Sequence, residues 1–410
     1  METAEKISKL AVLAGRLRNQ YRGTEGNQSW LCDADFPTTR HEDWKYTRTA
    51  QIANRSWNFD YTATPLAHLP VDMTQYPQRV VFVNGNYRPE LSQFSAETGV
   101  ELTTDVLHSE YTDGPVRHAF EALSRAFPQQ GAHLHIKYGT QHTVKLAIFH
   151  IFTGSNVVAQ PVNTLFAERL TKAQITEYYI HCGKGGTFGN TACKYAVGAG
   201  AHVHTDVVQY GHDDSFHMAQ NDAILERDAV FTHCMVTLSG KWVRNNTTAR
   251  IAGSNAEANF YGFYMPSGNE LVDNHTIIDH EQPHSQSNEL YRGVLGGQGT
   301  GVFNGKVYVR QNAQKTNAFQ SNGNVLLTDT ATMNSKPELE IYADDVKCSH
   351  GSTTGQLDEQ AMFYLQARGL SRNNARKLLV AAFAESALEK VMDEKVRDLA
   401  HRVMEEKLNR

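Results

Sequence analysis

The amino-acid sequence predicts a mainly β protein in three parts: an N-terminal helical and mixed region (1–130), an all-β core (131–354) and a C-terminal helical region (355–410). Three observations predict it. From about residue 131 to 347 helical periodicity gives way to short β-rich runs at 146–152, 177–182, 203–210, 230–238, 259–264, 302–309, 325–327 and 339–342. Turn formers separate these runs, notably Gly198-Ala199-Gly200, Asn304-Gly305 and Asn322-Gly323. Apolar residues at helical spacing occur only outside this stretch. A sandwich, a closed barrel and a solenoid all accommodate many short strands. More than 200 residues of steadily spaced strands tilts the choice toward stacked coils, which extend a core without a size limit, although no clean sequence repeat is visible.

The flanking elements follow in order. Ile7, Leu10, Leu13, Ala14 and Leu17 lie on one face of a first helix. Residues 80–83 read as a strand entering a tight Asn84-Gly85 turn. Residues 120–127 form a short helix stopped by Pro128 and Gly131. Beyond residue 355, residues 358–368 make a helix that Gly369 ends in the left-handed conformation. Ser371 caps the next helix, with an apolar face of Ala375, Leu378, Leu379, Ala382 and Phe383. A third stretch places Leu388, Met392, Val396, Leu399 and Val403 together. This tail reads as a packed cap on the end of the β core, as a partner-docking module, or as both.

Composition narrows the functional classes. At 410 residues the chain exceeds what one hydrophobic core usually supports, so roughly two to three units are expected. A net charge of −5, from 39 basic and 44 acidic residues, argues against a dedicated nucleic-acid binder. Five cysteines, Cys32, Cys182, Cys193, Cys234 and Cys348, form no CxxC pair and fit free thiols in a reducing compartment. The start of the chain lacks the features of a secretory signal, and the longest apolar run, 378–384, is far below the ~20 residues of a membrane span. A cytoplasmic protein with no membrane contact is the expectation.

Four constellations could carry chemistry. His202 and His204, two apart on a strand, share a face about 7 Å apart and could share a metal. With Gly198-Ala199-Gly200 before them they loosely match a cupin metal motif, giving an alternative reading as a metal-dependent enzyme. The later acidic ligand is missing, and Asp206 sits too early to replace it, so outward-facing strand residues are the plainer account. Cys348-Ser349-His350 is a second such pair, suited to iron, iron–sulfur species or zinc but two ligands short of a closed site. His275, His280 and His284, among Asp273, Asp279 and Glu281, read as a solvated loop or solenoid corner. Glycines 293–301 read as a turn, since no helix follows to hold phosphate. No P-loop is present, so the chain is expected to bind no ATP, and no GxSxG or HExxH occurs.

Longer blocks carry a family resemblance. Residues 317–327 begin it, Lys336-Pro337-Glu338-Leu339-Glu340-Ile341-Tyr342-Ala343-Asp344-Asp345-Val346-Lys347-Cys348-Ser349-His350-Gly351 continue it, and residues 355–369 end it. Near the N-terminus, Trp44-Lys45-Tyr46-Thr47 matches a further element. The sequence resembles the SufB/SufD family of iron–sulfur cluster assembly proteins, and SufD more than SufB. The strand preceding the long block, Asp329-Thr330-Ala331-Thr332-Met333, lacks the cysteine that SufB carries there.

The resemblance implies a right-handed parallel β-helix core between the two helical regions. It implies a non-enzymatic scaffold that pairs with SufB through the β-helix and docks one SufC ATPase through the C-terminal helices, where Phe363, Tyr364, Leu365, Arg368 and Gly369 are candidate contacts. It places His350 at the SufB interface, as ligand or proton carrier for a nascent iron–sulfur cluster, with Cys348 as its neighbour. A flavin is associated with such complexes but falls on no residue of this sequence. Homodimerisation of the isolated chain is the remaining partner expectation.

Overall fold

The computed structural model describes residues 8–23, 31, 35–62, 66, 69–106, 116–183 and 185–409; Ile7 and Cys32 lie outside the described residues. From Thr143 the chain alternates between two ten-stranded sheets. The first sheet takes Thr143–Phe152, Lys172–His181, His202–Tyr210, Val230–Thr237, Glu257–Tyr264, Gln286–Leu295, Asn317–Leu326 and Lys347–Gly355. The second takes Val162–Ala167, Thr187–Val197, Ser215–Leu225, Trp242–Ile251, Leu271–His280, Thr300–Val309 and Thr332–Ile341. Each of these strands pairs in parallel with the strand one coil away, which makes the core a β-solenoid rather than a sandwich or barrel.

Coil length explains why no repeat is visible in the sequence. Partner residues are 26 apart where Phe216 pairs with Trp242 and 32 apart where Thr300 pairs with Thr332. A drifting period needs only inward parity at each rung, not residue identity. Asn304-Gly305 and Asn322-Gly323, expected in turns, instead lie mid-strand. At Gly305 the reason is steric: a Cβ would sit 2.1 Å from Gln320 Nε2 on the facing sheet. The Asn84-Gly85 turn is where the sequence places it, with φ of 51° and 74°, joining Arg79–Val83 to Asn86–Tyr87. Arg79–Val83 then extends the first sheet beside Thr143–Phe152.

The terminal regions cover the solenoid's two outer faces. Leu10, Leu13, Leu17, Trp44, Trp57 and Phe120 pack on Phe188, Phe216, Met218 and Trp242 of the second sheet. The Trp44–Thr47 element is clamped by a buried ion pair: Arg244 lies 3.8 Å over the Trp44 ring, binds Asp273 at 2.8 Å and donates to the Asp43 carbonyl. Thr47 donates to the same Asp273 carboxylate. On the other side, Val380, Ala384, Leu388, Val396, Leu399 and Val403 pack on Val208, Val236, Phe263 and Val294 of the first sheet.

The C-terminal helices are Glu359–Ala367, Arg372–Leu388 and Glu394–Leu408. Gly369 is left-handed (φ 95°), its N–H binds the Gln366 carbonyl and that of Leu370 binds Leu365, so the first helix closes as expected. Ser371 caps the second helix through Asn374 N. The apolar faces match expectation in part. Ala375 is buried as expected, but Leu378 and Ala382 are exposed, because the second helix turns Val380, Ala384 and Ala387 inward. Met392 stands exposed in the turn before Asp393, which caps the third helix. Neither do these helices close the solenoid's end. They lie on its face, which leaves the last strand, Lys347–Gly355, as an open edge.

Candidate functional site

That open edge carries the Cys348/His350 pair. Among the described residues Lys347–Gly355 pairs only with Asn317–Leu326, setting Cys348 beside Ala318 and His350 beside Gln320. Ala318 and Gln320 are buried between the sheets while Phe319 is exposed, so the side-chain alternation directs Cys348 and His350 into the mouth of the solenoid and Ser349 outward. Cys348 is half-buried against Val307, Val309 and Ala343, and burial raises its thiol pKa above the usual value. His350 is exposed, and its side chain has no hydrogen-bond partner among the described residues. A depression of about 500 Å³ also borders His350, but Tyr261, Leu290, Phe319 and Ser349 line it from the outer face.

A buried polar ladder runs back from His350, which sequence reasoning missed. Gln320 donates to Glu289 at 2.8 Å, and Thr276 donates to the same carboxyl at 2.9 Å from the second sheet. Burial lifts Glu289 from 4.5 to about 7. Among the described residues Glu289 Oε1 and Gln320 Oε1 both lack a partner, a shortage of donors that a proton on Glu289 relieves. The available clue was parity: Glu289 shares its strand face with Tyr291, but no period-2 pattern distinguished inside from outside there.

The other histidines separate. His202 is exposed, whereas His204 lies under the C-terminal turn with Asp206 at 2.8 Å and Cys234 at 3.8 Å. The outward orientation expected of them is correct, but Asp206, which looked too early in sequence, is the acid that meets His204, because residues two apart share a strand face. The His275 cluster is not a solvated loop. It occupies the strand Leu271–His280, Asp273 and His280 are fully buried, and His275 contacts Asp273 at 3.0 Å. Burial raises the Asp273 pKa, but His275 and Arg244 outweigh it and leave the carboxyl below the usual range. His284 alone sits in a turn, at φ 61°. The glycines 296–299 do form a turn, with strands on either side.

At the C-terminal helices, Phe363 and Tyr364 are 73% and 56% exposed, and Arg368 lies 4.8 Å over the Tyr364 ring. Leu365 is half-buried. Cys182, Cys193, Cys234 and Cys348 are free thiols. Among the described residues no helix is long and apolar enough to cross a membrane.

A parallel β-solenoid with helices on both faces and a Cys–x–His pair on its edge strand defines a class of helix-flanked β-solenoid proteins. Comparison with known proteins gives the particular family. The model of the "SUF system FeS cluster assembly, SufBD core domain" matches residues 150–383. The chain is 31% identical over 372 residues to the iron–sulfur cluster assembly protein SufD of Escherichia coli K12, covering 89% of this chain and 87% of that protein. It is 29% identical over 396 residues to an iron–sulfur cluster assembly SufBD family protein of Synechocystis, covering 90% and 86%. A chloroplastic protein of Arabidopsis thaliana is 35% identical over 176 residues, 43% of this chain. The chain belongs to the SufB/SufD family, and within it to the SufD type.

Proposed function

We propose that this chain is a scaffold subunit of a SufB–SufC–SufD complex that assembles iron–sulfur clusters, with no independent turnover. The observation that carries this reading is the unclosed end of the solenoid. A strand edge with free main-chain groups presents His350 and Cys348, while the helices that could have covered it lie elsewhere. SufB is the partner proposed for that edge. Its pairing would supply the ligands that two residues cannot, and would exclude water from the mouth.

Within such an interface the neutral imidazole of His350 offers a lone pair to iron, or holds a proton near a bound sulfide. Cys348, held as a thiol by its partial burial, serves as neighbour rather than first nucleophile. The exposed Phe363–Tyr364 face, with Leu365, Arg368 and the turn at Gly369, is proposed as the SufC dock, since an exposed aromatic pair stacked by an arginine has hot-spot composition. Co-expression with SufB and SufC, comparing wild type with His350→Ala for complex recovery and cluster content, tests the reading. A recovered complex that has lost iron and sulfide is expected. Unchanged cluster content removes His350 from the chemistry, and no complex from the wild-type chain overturns the pairing.

A further inference from the structure

The turn that fastens the last helix to the solenoid encloses a second set of ligand atoms, far in sequence from His350. His204 and Asp206 lie on the outer face of His202–Tyr210, and Cys234 lies beside Asp206 on the neighbouring strand, Val230–Thr237. One ligand atom from each falls within 4.8 Å of the others. His204 Nε2 stands 2.8 Å from Asp206 Oδ1 and 3.8 Å from Cys234 Sγ. Nitrogen and sulfur ligands of a tetrahedral zinc ion, at bond lengths of about 2.0 and 2.3 Å, sit about 3.3–3.8 Å apart. The His204–Cys234 separation is therefore near coordination spacing, while His204 and Asp206, now at hydrogen-bond distance, would part by about 0.5 Å to share an ion.

Its position is equally specific. Asp206 accepts from Met392 N at 3.1 Å and Asp393 N at 2.9 Å, and Cys234 Sγ lies 3.3 Å from the Lys390 carbonyl. A metal-free latch would need Asp206 alone to hold those two N–H groups. In such a latch the Cys234 thiol donates to the Lys390 carbonyl and His204 pairs with Asp206, and the same three atoms lie where one ion could replace those hydrogen bonds.

We propose that His204 Nε2, Asp206 Oδ1 and Cys234 Sγ form a site for a borderline divalent ion of the zinc and ferrous class, with the Lys390 carbonyl oxygen beside Cys234 as the candidate fourth ligand. The ion would tie two strands to the turn between the last two helices. Its charge would be balanced by one carboxylate and one thiolate, with the imidazole neutral and protonated on Nδ1. The inference is independent of the function proposed for His350.

Cobalt titration of the purified full chain tests it. Wild type is expected to take up about one Co²⁺ with a thiolate-to-cobalt charge-transfer band. Cys234→Ser should abolish the band, and His204→Ala should weaken binding at least about tenfold. The Cys348→Ser/His350→Ala double variant should keep the band. Zinc should raise the thermal midpoint of wild type and not of Cys234→Ser. A wild type without the band, or a band that survives Cys234→Ser, overturns the proposal and leaves a metal-free latch. A Cys234→Ser chain that has lost its helices by circular dichroism passes the decision to His204→Ala, whose unchanged cobalt affinity would also overturn it.

Discussion

Glu289→Gln separates a buried proton from everything else in the solenoid. The carboxyl is 3% exposed, and its two partners, Thr276 and Gln320, are both donors that an amide oxygen satisfies equally well. Burial holds the folded-state pKa at about 7 against 4.5. Below pH 4.5 the carboxyl is protonated in both states, and its contribution to stability is complete. As pH rises the unfolded chain ionises first, so the folded state loses about 1.4 kcal/mol per pH unit until its own pKa is reached. The total is about 3 kcal/mol, lost between pH 4.5 and 7 and constant above. The amide carries no charge at any pH, so the variant should escape that part of the decline. Its NH₂ also gives the unpartnered Gln320 Oε1 a donor. Urea unfolding of wild type and variant at half-unit steps from pH 5 to 8 measures the difference. The variant is expected to gain on wild type up to about pH 7 and then to hold a constant lead of about 2–3 kcal/mol to pH 8. Parallel profiles across that range would show Glu289 ionised in the folded state and refute the reasoning.

Other perturbations test other joints. Asp273→Asn leaves Arg244 buried without its charge partner and should cost about 3–5 kcal/mol, seen as a lower thermal midpoint and faster proteolysis around Trp44. Gly305→Ala drives a methyl into Gln320 Nε2 and should cost about 1–3 kcal/mol; introducing Gln320→Ala as well should recover part of the loss. Phe363→Ala with Tyr364→Ala removes exposed rings, so the unfolding midpoint should hold while retention by immobilised SufC falls at least about tenfold.

Much of the fold was legible because it rests on local rules. The Asn84-Gly85 hairpin, the Gly369 cap and the Ser371 cap each depend on a few adjacent residues whose backbone preferences are intrinsic. Parallel strands were harder. A coil's partner lies 26 to 32 residues away, and the interior admits Glu289, Gln320, Asn322 and Asn324 beside apolar residues, so hydrophobic alternation loses contrast. The same mixing disguised Asn304-Gly305 and Asn322-Gly323 as turns. On the helix Arg372–Leu388 the expected face ran through Leu378 and Ala382, and only the sheet beneath it selected Val380 and Ala384.

The candidate site divides the same way. Sequence alone determined the mainly β core, the helical ends, the family resemblance and the shared face of Cys348 and His350, because a strand's two-residue period fixes which side chains travel together. Tertiary structure decided what lies at each face. It left Lys347–Gly355 as an open edge, placed Glu289 two rungs behind His350, and brought Cys234 beneath the turn with His204 and Asp206. Those arrangements depend on coil stacking and on where the last helices rest. The free energy of such contacts is spread over residues distant in the chain, and no local pattern records it.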